Sequence, residues 1–171
     1  MIKAFIVSFC FLSILQVKAQ NNCKMDVDDK TNKPMAIGLC DRNIFSDTSF
    51  AFWFESEYQN YIVDTLSINL VKKDLNALKI KIVLGTWCSD SREQVPRFLK
   101  IIDFINFPSE QLSLLFVDRK KQAGDFDISD LDIVLVPTII FYNDDIEIGR
   151  ITEAPEISLE EDTVDIIFSN L

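Results

Sequence analysis

Histidine is absent from the 171-residue chain, which removes Ser-His and Cys-His nucleophile pairs, imidazole metal ligands and the commonest general base. Chemistry here must come from thiols, hydroxyls, carboxylates or amines. Glycine and proline are scarce, at four and five residues, while 48% of residues are apolar and 14 are phenylalanine. A collagen-like or extensively disordered chain is excluded. Cationic side chains are outnumbered, 17 against 27 acidic ones, and a net charge of −10 repels a phosphate backbone, so nucleic acid is not expected as a partner. No apolar run reaches the ~20 residues that a membrane-spanning helix needs. Neither a linker nor a repeat divides the chain, and its length suits one domain with one core.

Residues 1–19 do carry a shorter apolar run, over 4–17, preceded by one positive charge at Lys3 and diluted by Ser8, Ser13 and Gln16. It ends Val17-Lys18-Ala19, with compact residues at the two positions a signal peptidase reads. The expectation is a signal peptide cut after Ala19, and an exported protein, periplasmic or secreted, that does not span a membrane once cleaved. Cleavage discards Cys10 and leaves Cys23, Cys40 and Cys88 in a compartment where disulfides persist. An odd count leaves one thiol over. Pairing Cys23 with Cys40, across a polar loop region at 20–45, is the economical arrangement and frees Cys88. The alternatives are unpaired Cys23 and Cys40, or a bond from Cys40 to Cys88. Within the same region Asp26-Val27-Asp28-Asp29 lacks the Gly and distal Glu of a calcium loop and reads as a solvated acidic loop. No metal or cofactor is expected.

After Ser46 or Asp47 as N-cap, Phe50, Trp53, Phe54, Glu57, Tyr58 and Tyr61 recur at helical spacing and predict an aromatic-faced helix. A second helix is predicted over 65–78, with Leu66, Ile68, Leu70, Val71, Leu75 and Leu78 as its apolar positions and Lys72, Lys73 and Asp74 facing solvent. Ile80, Ile82, Val83 and Leu84 form a near-continuous apolar strand, as a central strand covered on both faces requires. The strand breaks at Gly85-Thr86 and restarts as a helix with Val95, Phe98, Leu99, Ile102 and Ile105 on one face and Pro96 inside it. Residues 112–117 read as the next strand, parallel to the first because a helix crosses between them. A polar loop at 118–130 follows. Thr138 to Tyr142, an acidic turn at 143–145 and a partner strand at 146–152 make an antiparallel hairpin. Ser158-Leu159-Glu160-Glu161 fits the capping box of a last helix whose apolar residues are Leu159, Val164, Ile167 and Phe168.

Cys88 sits at the first strand-to-helix junction, where unpaired N–H groups and the positive end of the helix dipole bias a thiol toward the thiolate. Trp87-Cys88-Ser89-Asp90-Ser91 at that junction, Pro96 eight residues on, Val136-Pro137-Thr138 ahead of the hairpin, and Gly149 in its last strand together resemble the thioredoxin-like family, in an exported bacterial branch with a C-x-x-S motif. The resemblance covers about 79–171. It implies an α/β fold, a three-layer sandwich around a mixed sheet, with a helical N-terminal extension, so that the domain runs over 46–171. It also implies a cis Pro137 beside Cys88.

Two positions depart from the family: Ser91 replaces the second, resolving cysteine, and Ile82 stands where many members keep a buried Asp. A hydroxyl cannot displace a thiolate from sulfur at useful rates, so the expected chemistry is monothiol. Cys88 attacks a disulfide and an outside thiol resolves the adduct, with Ser91 donating a hydrogen bond to the thiolate. Trp87, Ser89, Asp90, Val136, Pro137 and Thr138 bound the substrate site, the Val136 backbone pairing with an extended peptide. The implied partner is a thiol- or disulfide-bearing protein or a small thiol, and the reaction disulfide exchange, isomerisation or deglutathionylation. The alternative is a non-catalytic peptide- or protein-binding module on the same fold. Arg92 and Glu93 follow the motif, where either could tune Cys88 or choose a partner's charge, and their plainer reading is as solvated first-turn residues; Arg150 with Glu153 reads as surface.

Overall fold

A computed structural model describes residues 22–170. The signal-peptide reading of 1–19, and Cys10 with it, lie outside the described residues.

The chain between 22 and 40, expected as a polar loop, is instead a hairpin of β1 (Lys24–Val27) and β2 (Pro34–Cys40). Its signal is the apolar stretch Met35-Ala36-Ile37, buried in β2, after a turn built from Asp28, Lys30, Thr31 and Asn32. Asp28 closes that turn. Its N–H donates to the Lys33 carbonyl, its carbonyl accepts from the Asn32 N–H, and its carboxylate accepts from the Thr31 hydroxyl. The Cys23–Cys40 disulfide ties the two strands together, as the economical pairing has it.

A short 3-10 helix (Arg42–Ser46) leads into α1 (Ala51–Asn60), and α2 (Thr65–Leu75) begins at Asp64, whose carboxylate accepts from the N–H groups of Leu66 and Ser67. Then come β3 (Lys79–Leu84), α3 (Ser89–Phe104), β4 (Leu112–Phe116), β5 (Thr138–Asn143), β6 (Ile146–Thr152) and α4 (Leu159–Asn170). The sheet order is β1-β2-β4-β3-β5-β6, with β3 and β4 parallel and every other pair antiparallel. The crossover and the final hairpin are as predicted. Ser158 Oγ caps α4 by accepting from the Glu161 N–H.

Strand alternation divides the core in two. Ile80, Ile82 and Leu84 of β3 point to the same side as Leu114, Phe116, Ile139 and Phe141, where they meet the buried residues of α2, α3 and α4. The opposite side, Val83, Leu115 and Ile140, is covered by Val117, Ala123 and Val136 with Phe126, Ile128, Leu131 and Ile133 against them. The layer on this second face is irregular chain with a single 3-10 turn at Ser129–Leu131, where the expected sandwich has helix. A polar segment with few apolar anchors can cover a small face without paying for a helix.

Three predicted core positions are exposed instead: Leu66, Leu70 and Phe168. Glu160 is buried among the core residues of α4, accepting from the Tyr61 hydroxyl at 2.7 Å and the Asp64 N–H at 3.0 Å. These bonds join the end of α1 and the start of α2 to α4. Among the described residues no helix is long and apolar enough to cross a membrane.

Candidate functional site

Cys88 is the N-cap of α3, with extended backbone (φ −88°, ψ 132°) and a half-buried side chain. Its N–H donates to the Gly85 carbonyl at 2.9 Å and its carbonyl accepts from the Arg92 N–H at 3.2 Å, so the junction is a hydrogen-bonded turn that leads straight into the helix. The sulfur occupies the place of a capping oxygen but makes no capping bond. It donates to the Val136 carbonyl at 3.1 Å and lies 3.8 Å from Asp90 Oδ2. With Cys23 and Cys40 bonded to each other, Cys88 is the free thiol among the described residues.

The Val136–Pro137 peptide bond is cis, and both residues are buried. Two bonds hold the segment. The Thr138 hydroxyl donates to the Leu135 carbonyl at 2.8 Å, and the Glu153 N–H to the Pro137 carbonyl at 2.7 Å. Thr138 also opens β5 opposite Val83, so the sheet itself carries Val136 to the sulfur.

Trp87 folds back over the preceding turn. Its Nε1 donates to the Val117 carbonyl at 2.9 Å, and a Cβ at Gly85 would come within 2.6 Å of its Cε2. Gly85 is needed for that approach. The indole carries two cations: the Arg119 guanidinium carbon lies 4.8 Å from the ring centroid and Lys121 Nζ 5.5 Å from it.

Arg119 is fixed from the far side by Asp28, with Nε and Nη2 on the two carboxylate oxygens at 2.5 and 2.8 Å. Asp28 is only 2% exposed, so the acidic loop read as solvated holds a buried carboxylate. The Arg119 and Thr31 hydrogen bonds hold its carboxyl well below the usual range, against the opposing effect of burial. Arg119 is in turn held protonated above its ordinary value, first by the Asp28 hydrogen bond and also by attraction to Asp28 and to Cys88. A second tie joins the same hairpin to the site: the Ala36 N–H donates to Thr86 Oγ1 at 3.2 Å in the interior.

Of the ten residues singled out from sequence, Asp90 and Val136 lie at the Cys88 sulfur, Trp87 adjoins Cys88 in the chain, and Pro137 and Thr138 follow Val136. Ser89 is exposed on the first turn of α3, and Cys23 and Cys40 form the remote disulfide. Ser91 differs from expectation. It is fully buried, and its Oγ accepts from the Gly85 N–H at 3.2 Å, so the hydroxyl braces the turn from inside and makes no hydrogen bond to Cys88. Arg92 is no surface bystander either, since its Nε donates to the Thr86 carbonyl at 2.6 Å. Asp28, Arg119 and Lys121 escaped sequence reading because all three sat in segments taken for loop and their partners are 91 and 34 positions away. The hairpin pattern at 24–40 was the one available signal.

The chain matches no family model and no curated protein. Among solved structures it is similar to a protein of unknown function from Pseudomonas aeruginosa, at 14% identity, over 69% of this chain and 79% of that one, with a TM-score of 0.44.

Proposed function

We propose that the chain is an exported thioredoxin-like protein whose single active-site thiol, Cys88, exchanges with disulfides. The observation that carries this reading is the position of the free thiol among the described residues, at the N-cap of α3 and 3.1 Å from the Val136 carbonyl beside the cis Pro137. Export is supported by the Cys23–Cys40 disulfide and by the predicted signal peptide.

The step follows from the geometry. The helix N-terminus favours negative charge on the Cys88 sulfur. The thiolate attacks one sulfur of a substrate disulfide; a new S–S bond forms, the old one breaks, and the departing thiolate takes up a proton from water. Conversion of Cys88 to a mixed disulfide removes its S–H donor. The Val136 carbonyl is then open to an N–H of the attached peptide, so that pairing strengthens once the adduct exists. A second, external thiol attacks the adduct, releases Cys88 and is itself oxidised, because Ser91 has no sulfur to do so.

A non-catalytic binding module is the second reading. It is favoured by the burial of the Ser91 hydroxyl against Gly85 and by the wholly apolar environment of Ile82, which leave neither position for proton or sulfur transfer. Trapping separates the two. Incubation with a neutral peptide disulfide, followed by mass mapping, is expected to find the peptide on Cys88, released by added thiol and lost in Cys88→Ala. Equal retention of the peptide by wild type and Cys88→Ala, with no covalent adduct, would establish the module instead.

A further inference from the structure

We propose that Lys121 and Arg119, laid over the Trp87 ring, form a cationic filter that makes carboxylate-bearing disulfides the preferred partners of Cys88. The inference rests on the exchange reading of Cys88.

The chain is strongly acidic as a whole, yet Arg119-Lys120-Lys121 is a run of three cations, two of which lie on the indole next to Cys88 in the chain. Their presentation is built by Asp118, whose carboxylate accepts from the N–H groups of Lys120 and Gln122 at 2.8 Å each, while its carbonyl accepts from that of Lys121 at 3.0 Å. The turn puts Lys121 at φ 61°, a left-handed conformation in which glycine or asparagine is at ease and lysine is not. Nothing in the backbone calls for a lysine there. Its ammonium reaches the indole that walls the thiol.

Asp28 locks Arg119 in place at the indole, and Lys121, which has no ion pair among the described residues, adds an unbalanced charge beside it. Lys120 and Lys121 line a cleft of about 690 Å³, floored by Phe126, Ile128 and Val134, of a size that takes a small molecule. Val134 is two residues from Val136, and Ile128 packs on the same cluster as Trp87 and Cys88. The opposing charges are Asp90 near the sulfur and Asp127 and Asp132 on the cleft. Asp127 is already engaged by the Ser129 N–H at 3.0 Å. Trp87 is the chain neighbour of Cys88, so a disulfide whose sulfur meets Cys88 brings a nearby carboxylate toward the Lys121 ammonium on the indole.

The test compares two reagents in the chain with its Cys23–Cys40 bond intact, after subtraction of the Cys88→Ala background. One is dianionic dithiobis(nitrobenzoate), which releases a thionitrobenzoate as Cys88 takes the other half. The other is neutral dithiodipyridine, which releases a thiopyridone in the same way. The ratio of anionic to neutral rate constants is expected to fall about fivefold or more in Arg119→Gln/Lys121→Gln, to be largely retained in Arg119→Lys, and to shrink as added salt screens the cations. Should the Arg119 variants fail to fold with Asp28 unpaired, Lys121→Gln alone still decides, with a fall of about twofold or more expected from loss of one exposed charge. A ratio unchanged in Lys121→Gln and indifferent to salt would overturn the filter. Failure of dithiodipyridine to react at Cys88 in the folded wild type would overturn the exchange reading itself, and the filter with it.

Discussion

The Cys88 sulfur lies between opposing fields. The N-terminus of α3 carries positive potential there, and the Asp90 carboxylate at 3.8 Å and the Val136 carbonyl at 3.1 Å carry negative potential. Asp90→Asn removes a negative charge from the first turn of α3 and keeps the shape, so Cys88 is expected to react severalfold faster with an anionic disulfide, as stopped-flow absorbance would record. Gly85→Ala acts by sterics. Its methyl would enter the Trp87 ring, and a loss of about 1–3 kcal/mol is expected in a denaturant titration, with the indole displaced from the Val117 carbonyl. The junction that holds Trp87 and Cys88 was legible because strand, break and amphipathic helix mark it in order, whereas Pro137 was read from the family resemblance alone. The role of Ser91 was not legible, since spacing places it on the first turn without saying that its hydroxyl turns inward to Gly85.

Among the elements, α2 shows where periodicity stops being informative. Leu66 and Leu70 lie four apart, as do Val71 and Leu75, and either stripe could be the buried one. Contact with α4 decides in favour of Ile68, Val71 and Leu75, which are fully buried, while Leu66 is 83% exposed. Ile68→Ala is therefore expected to cost about 2–5 kcal/mol of unfolding free energy and Leu66→Ala less than about 0.5 kcal/mol. Equal losses from the two substitutions in urea titrations would contradict this orientation of α2. The capping box of α4 was legible for the opposite reason: a hydroxyl three residues before a Glu is local information, and the structure has Ser158 accepting from the Glu161 N–H at 3.1 Å. Ser158→Ala is expected to cost about 1 kcal/mol.

At the scale of the molecule, the 22–40 hairpin is part of the thiol site and not an appendage to it. Its disulfide spans 17 positions, Thr86 receives the Ala36 N–H, and Asp28 clamps Arg119. The crossover and hairpin that make the sheet's centre were legible as contiguous apolar runs. The 22–40 hairpin was masked by the polar residues of its first strand and turn, which mix Asp26, Asp28 and Asp29 with Lys24, Lys30 and Lys33, and its pairing with β4 is a contact between distant segments that no local pattern encodes. Reduction of the Cys23–Cys40 bond is expected to lower stability by about 3 kcal/mol, from the freedom returned to the unfolded loop. Asp28 adds a pH dependence. Because Arg119 holds its folded-state carboxyl below the unfolded value of ~3.9, its contribution is complete above that pH and is lost as pH falls through it toward the depressed folded value. Asp28→Asn should lower the melting temperature at neutral pH and flatten its decline in acid. The most direct test of the account is the rate constant of Cys88 with neutral dithiodipyridine near neutral pH, in the folded chain and in the same disulfide-intact chain unfolded by urea. The folded chain is predicted to react faster, since only there do the unpaired N–H groups at the start of α3 stand where the attacking sulfur carries charge. A folded rate equal to or below the unfolded one would contradict a site built for thiol exchange.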